Sequence, residues 1–348
     1  RDYLDSFVVV YLDDILMYSH SLHDHVCHLC MVLTRLAKEN LRLKPSKCVF
    51  GVQSLPFLGH VISPGGVKPD PAKVSSVLEW PPPSNLGEIR SFLGFVNYYR
   101  RFIPNFATIA APLVALTSTT SPSCGVMTSE ALESFEDLKK CLASAPTLLF
   151  PFVGPDAHFT LSTDASDYGI GYVLQQDQGN GLQPIAYGAR SLSKHERNYS
   201  VQEKELLAIV DAFRAYRCYF DGCGKITVNC DHASLSTFLT HSGLTGRRAR
   251  WAEFLQPYSR LCMSVDPLML PRMPCLVVRT LDYSNLPLIR MCWTRLRGSM
   301  LRTPCIMVSF DFLRLFRRRV VCFILVRVCV FRNRVPSDIG LLRRPIIR

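Results

Sequence analysis

Asp13 and Asp14 are adjacent carboxylates set between two apolar, β-prone runs, Phe7-Val8-Val9-Val10-Tyr11 and Ile15-Leu16-Met17-Tyr18. Val, Tyr and Ile favour a pleated strand, and a polar pair between two such runs marks a turn, so the segment reads as a hairpin with an acidic tip. Like charges repel, and a site that holds them close has a cation to share. In two-metal phosphoryl transfer such carboxylates hold a pair of divalent ions roughly 3.5–4 Å apart, one activating the attacking oxygen and the other stabilising the leaving oxygen. A solvated turn is the ordinary alternative, since Asp is common in turns of every kind.

The surrounding residues decide between the two. Tyr11-Leu12-Asp13-Asp14 between apolar strands, followed by Ser19-His20-Ser21 and a helix, resembles the palm of a reverse transcriptase. The run from Arg1 to Ser19 is similar to gypsy-type LTR retrotransposon polyproteins in particular. The resemblance continues at Phe57-Leu58-Gly59-His60, which is similar to the primer grip, the hairpin that seats the primer end near the metals. It implies nucleic-acid contacts for Tyr11, Phe57, Leu58, Gly59 and His60. Further on, Asp70-Pro71 supplies an N-cap and a proline at the first helical position. Asn85-Leu86-Gly87-Glu88 is a capping-box variant ahead of a helix running from Ile89 to Ile103. That helix carries paired aromatics and the pair Arg100-Arg101, which in this family belongs to a thumb packed on the duplex backbone.

A second set of acids follows a seam of polar and proline residues. A β-run, Phe159 to Thr163, ends at Asp164 and turns on glycines into Tyr172-Val173-Leu174; Pro184 to Tyr187 supplies a third strand. Ser200-Val201-Gln202-Glu203 is a capping box, so a helix starts near Val201 and runs toward Phe220, with Leu206, Ile209, Val210, Phe213 and Tyr216 as its apolar stripe. Lys225 to Cys230 is another strand, ending at Asp231, with a second helix after it. Three strands, a helix, a strand and a helix, with carboxylates at strand ends and in the first helix, is the layout of the RNase H fold. The wording of these motifs resembles the gypsy-type RNase H, which implies that Asp164, Glu205 and Asp231 are its metal-binding acids. Glu203 and Glu205 lie at similar angles from the apolar stripe, so helix geometry does not separate them. Capping does: Glu203 sits three residues after Ser200, where its carboxylate reaches back to the backbone, which leaves Glu205 for metal.

The expected architecture is therefore α+β. Residues 1–66 are read as a palm portion, 67–117 as a thumb, 118–155 as a connection, 156–262 as an RNase H-like domain and 263–348 as a tail. The resemblance implies RNA-directed DNA polymerase and RNase H chemistry with Mg²⁺, or Mn²⁺ in its place, because hard cations prefer oxygen ligands. The implied partners are an RNA template, a DNA primer and an RNA/DNA hybrid. Two departures limit the transfer. The chain opens a few residues before the hairpin, so the fingers and the upstream strand with the family's first polymerase aspartate are expected to lie outside it, and primer extension by this chain alone is not expected. A catalytically inactive remnant that at most binds nucleic acid is the alternative reading.

The tail is the other departure. Residues 263–348 contain sixteen Arg and four Asp but no Ala, Glu, Gln, His or Lys, a composition unlike that of globular domains. The whole net charge of +12 resides there, since the preceding residues hold equal numbers of acids and bases. Back-translated and reread from the third base of each codon, Leu268 to Val277 permits the Asn-Val-Ala-Ala-Asp-Ala-Leu-Ser-Arg expected at the end of this RNase H, so the tail reads as a frameshift product, disordered and without docking. Val320 to Phe331 is apolar but too short for a membrane span, which needs about 20 residues. His23, His25, Cys27, His28 and Cys30 crowd into eight residues; a lone C-x-x-C is weak grounds for zinc, and a helix accounts for them as well. Cysteine spacing and the absence of a signal-peptide pattern point to an intracellular setting, cytoplasmic or nuclear.

Overall fold

In a computed structural model the described residues are 3–4, 6–118, 125–230 and 246–258, together with the backbone of 261–265 and 322–329. They divide into two compact units, residues 1–53 with 320–348, and residues 54–319.

The first unit is built on the acidic hairpin. Strands β1 (Val8–Tyr11) and β2 (Asp14–Ser19) pair antiparallel from Val8 opposite Met17 to Tyr11 opposite Asp14. Helix α1 (Leu22–Lys38) starts where the Ser21 hydroxyl caps the Asp24 amide, and it buries Val32 and Leu36 against Phe7, Val8, Ile15 and Met17. Two further strands, β3 (Arg42–Leu43) and β4 (Val49–Val52), follow. The sheet is completed from the other end of the chain. Cys322–Cys329, the last strand, lies between β2 on one side and β3 and β4 on the other, antiparallel to all three. This corrects the expectation of a structureless tail. The segment is Cys-Phe-Ile-Leu-Val-Arg-Val-Cys, and β-branched and aromatic residues suit a pleated strand whatever the origin of the sequence.

The second unit opens with a three-stranded antiparallel meander, β5 (Leu55–Phe57), β6 (His60–Ser63) and β7 (Gly66–Pro69). Helix α2 (Pro71–Leu78) has Asp70 as its cap and Pro71 in its first turn, as the sequence requires. Helix α3 (Leu86–Tyr98) is capped by the Asn85 side chain on the Glu88 amide. It ends earlier than its apolar pattern suggests. A 3-10 turn, Arg100–Phe102, replaces the last helical turn because Ile103 precedes Pro104 and must be extended. Helices α4 (Phe106–Ala115) and α5 (Ser129–Ala143) complete the helical part.

The sheet that follows has the order β10-β9-β8-β11-β12. Strands β8 (His158–Ala165), β9 (Gly169–Asp177) and β10 (Leu182–Ser191) form an antiparallel meander with a bulge between Pro184 and Ala186. After the short α6 (Lys194–Arg197), helix α7 (Val201–Ala215) buries Leu206, Ile209, Val210 and Phe213 against the sheet, and the turn α8 (Arg217–Phe220) follows. Strand β11 (Lys225–Cys230) then pairs parallel to β8. Helix α9 (Gly246–Leu255) packs Trp251 and Leu255 into the same core, and β12 (Leu261–Val265) adds a parallel edge beside β11. Helix and sheet are thus arranged as the acid spacing anticipated, with one strand more. With β12 named, Cys322–Cys329 is β13.

Candidate active sites

At the hairpin, the turn Leu12–Asp13 joins Tyr11 to Asp14, so Asp13 lies in the turn and Asp14 begins the second strand. Asp13 is exposed and Asp14 half-buried, with Tyr11 half-buried beside it. Leu12 takes φ +52°, the left-handed region where glycine is the usual occupant, yet its side chain is 58 % exposed. No packing compensates that backbone strain, and strain of this kind is concentrated at functional turns.

The expected primer-grip residues form the β5–β6 turn. Leu58 and Gly59 both have positive φ, and their carbonyls are held by two hydroxyls from the end of α3: Tyr98 donates to Leu58 O and Tyr99 to Gly59 O, the latter at 2.9 Å. Phe57 is buried, and His60 is 9 % exposed, stacked on Tyr98 and Phe102 with Tyr99 edge-on. Burial drives the His60 imidazole down to about 4 against a small opposing pull from Asp70, so it is neutral at physiological pH. Phe57 and His60 are therefore packing residues in this structure. The two arginines divide as well: Arg100 is exposed, whereas Arg101 is 5 % exposed and leaves Arg100 as the one placed for a phosphate.

In the second sheet Asp164 lies near the end of β8, half-buried. Glu205 is 1 % exposed on α7, and its Oε1 accepts the Ala165 amide at 3.2 Å, so helix and strand bring these acids to neighbouring positions. Asp231 lies outside the described residues. Strand β11 ends at Cys230, one residue before it, and β11 is in parallel register with β8 up to Asn229 opposite Ser162. Glu203 behaves as its spacing requires. It closes a capping box with Ser200 and also pairs with Arg247 at 3.4 Å. Arg247 in turn lies over the Tyr199 ring at 3.6 Å.

Two polar networks around these acids escaped the sequence reading. Lys204, 7 % exposed, donates to Asp167 at 2.7 Å across the turn that follows Asp164. Arg190 holds Glu196 bidentately at 2.9 and 3.0 Å and Asp211 at 2.9 Å, while Tyr172 donates to the other Asp211 oxygen. Burial alone would raise the Glu196 carboxyl; the Arg190 and Ser193 hydrogen bonds outweigh it and bring it down to about 2. The partners are 6 to 39 residues apart, so no local spacing reveals them.

The histidine and cysteine cluster is a helix face and not a chelate. His25 and His28 both reach the Ser19 hydroxyl through Nδ1, His28 stacks on Phe7, and Cys27 and Cys30 are exposed. Among the described residues no three His, Cys, Asp or Glu side chains form a metal-binding group.

Family comparisons agree with this layout. Residues 1–62 match the reverse transcriptase (RNA-dependent DNA polymerase) family, and residues 154–258 match the RNase H-like domain found in reverse transcriptase. The chain carries a reverse transcriptase segment followed by an RNase H-like domain. It is homologous to retrotransposon Pol polyproteins. The polyprotein from transposon opus of Drosophila melanogaster is 39 % identical over 269 residues, covering 74 % of this chain and 26 % of the relative. The polyprotein from transposon 297 of the same organism is 39 % identical over 258 residues, with 74 % and 24 % covered. A Tf2-3 polyprotein of Schizosaccharomyces pombe is 36 % identical over 260 residues, covering 73 % and 19 %. The chain thus spans about a quarter or less of the length of these relatives. A foamy viral protease-reverse transcriptase solved with double-stranded DNA has the same fold, with 22 % identity and a TM-score of 0.64 over 76 % of this chain and 47 % of that one. The same kind of enzyme solved with an RNA/DNA hybrid gives 23 % and 0.61 over 80 % and 38 %. Reverse transcriptase segment and RNase H-like domain follow one another in the order that the two sets of acids anticipated. Among the described residues no helix is long and apolar enough to cross a membrane.

Proposed function

We propose that this chain is the polymerase–RNase H junction of a gypsy-type retrotransposon and that its RNase H-like domain cleaves RNA in an RNA/DNA hybrid. Asp164 and Glu205, joined by Asp231, would hold Mg²⁺ or Mn²⁺, and Asp13 and Asp14 would contribute two carboxylates to the polymerase site. The donor set fits: all are carboxylate oxygens, the ligands a hard divalent ion prefers. When bound, the metal supplies an activated water and stabilises the leaving oxygen. The observation that carries the reading is Glu205, a carboxylate almost wholly removed from water yet tied to the strand position next to Asp164. Burying a carboxylate is costly unless it is paired or coordinates a metal, and a second carboxylate alongside only adds repulsion.

This chain's residues do the rest by positioning. Glu203 fixes the first turn of α7 and so the angle at which Glu205 is presented. Lys204 fixes the loop after β8 through Asp167. The Leu58–Gly59 turn, held by Tyr98 and Tyr99, would offer a rigid surface to the primer strand, and exposed Arg100 a charge to the backbone. The proposal is tested by incubating a labelled RNA/DNA hybrid with the chain and Mg²⁺. RNA cleavage that is lost in Glu205→Gln supports it, and cleavage indifferent to that change overturns it. Domain limits at 66, 117, 155 and 262, a tail read in a shifted frame and an intracellular setting belong to the same proposal; the nucleotide sequence decides the frame.

A further inference from the structure

Strand β13 occupies an interior position in the sheet that carries Asp13 and Asp14. It pairs with β2 over six residues, from Cys322 opposite Ser19 to Arg327 opposite Asp14. On its other side Phe323 and Leu325 pair with Val52 and Val49, while Val328 and Cys329 pair with Leu43 and Arg42. Neither β3 nor β4 has another strand partner in the sheet, so only β13 connects them to the hairpin. Strand β2 itself is buried at Ile15, Leu16, Met17 and Tyr18 in succession, hence on both of its faces. A strand buried on both faces belongs to a sheet interior, and an open edge there is a template for any passing strand.

The strand that fills this slot contains one charged residue, Arg327, and the ladder sets it opposite Asp14. A cation and a carboxylate directly opposite each other attract, and a monovalent partner held in place competes with a divalent ion for the same oxygens. We infer that Cys322–Cys329 is a built-in strand complement that closes the hairpin sheet and, through Arg327 opposite Asp14, hinders access of a divalent ion to the acidic pair. The closure stands on the strand pairing alone; the hindrance rests on the reading of Asp13 and Asp14 as metal carboxylates.

Two measurements on the full chain separate the halves. Tyr18 N–H donates to Phe7 O on the β1 side, so the alternate amides of Ile15, Met17 and Ser19 face β13. Proline cannot donate to a ladder and is excluded from interior strands, so Ile324→Pro should release these three amides to hydrogen exchange while those of β8 and β11 stay protected. Unchanged protection at Ile15 and Met17 overturns the closure. For the hindrance, Mn²⁺ is titrated while the broadening of the Ile15 methyl resonance is followed. Arg327→Gln should lower the half-broadening concentration about two- to fivefold, the worth of one cross-strand charge pair, and Asp14→Asn should remove the effect. Equal Mn²⁺ response with and without Arg327 overturns the hindrance. A response that Asp14→Asn leaves intact overturns the metal reading of the hairpin and the hindrance with it, while hydrogen exchange still decides the closure.

Discussion

Replacing His60 with phenylalanine should remove a pH-dependent loss of stability in the unit that holds the β5–β6 turn. His60 is stacked between Tyr98 and Phe102, and burial lowers its imidazole from 6.5 to about 4. In the unfolded chain the group returns to about 6.5, so below that pH the unfolded state binds a proton that the folded state refuses. Stability is unaffected at higher pH, begins to fall as the pH drops through 6.5, and stops falling once the pH is below about 4. At roughly 1.4 kcal/mol per pH unit the loss between pH 7 and pH 5 is about 2 kcal/mol. Phenylalanine keeps a ring in the stack and cannot titrate. Urea unfolding followed by the fluorescence of Trp80, Phe92's edge-on neighbour in the same unit, should show a pH 7 to pH 5 loss smaller by that amount in His60→Phe. Identical pH dependence in both proteins, or a His60 resonance titrating near 6.5, would refute the argument.

Other changes test the remaining supports. Gly66→Ala should cost about 2–4 kcal/mol in urea unfolding, because a Cβ at φ +127° would stand 2.2 Å from the Leu148 carbonyl that receives the Val67 amide. Tyr99→Phe should cost about 1 kcal/mol and speed exchange of the β5–β6 amides, since Gly59 O loses its hydroxyl donor. Glu203→Gln should lower stability by about 1 kcal/mol through the cap and the Arg247 pair while RNA cleavage persists, which separates it from Glu205→Gln. Leu12→Gly should leave stability unchanged or raise it by up to about 1 kcal/mol in the same assay, because the leucine is exposed and its backbone is left-handed.

Local rules carried far in this chain. Asp70, Asn85 and Ser200 cap the helices they precede, and the stripe from Leu206 to Tyr216 faces the sheet, because caps and periodicity act within one or two turns. The acids at strand ends were legible for the same reason. His60 and Arg101 were not, because burial of a polar side chain is decided by neighbours from distant segments: Tyr98 reaches the β5–β6 turn from 40 residues away. Strand β13 is the extreme case. Its β propensity is visible in Phe323, Ile324, Val326 and Val328, but nothing local says that its partners lie at Asp14–Ser19. A segment whose composition argues against a domain can still supply one strand, since a strand needs only a few suitable residues and an open edge.

The account turns on whether Asp164 and Glu205 act together on RNA paired to DNA. The direct measurement is single-turnover cleavage of a labelled RNA/DNA hybrid by the full chain in Mg²⁺ or Mn²⁺, compared with Asp164→Asn and Glu205→Gln. Metal-dependent cleavage of the RNA strand that each substitution reduces by at least about a hundredfold, the scale of losing a group that acts in the transition state, is the predicted result. Cleavage that survives either substitution, or a well-folded chain that cleaves no hybrid with either metal, would contradict it.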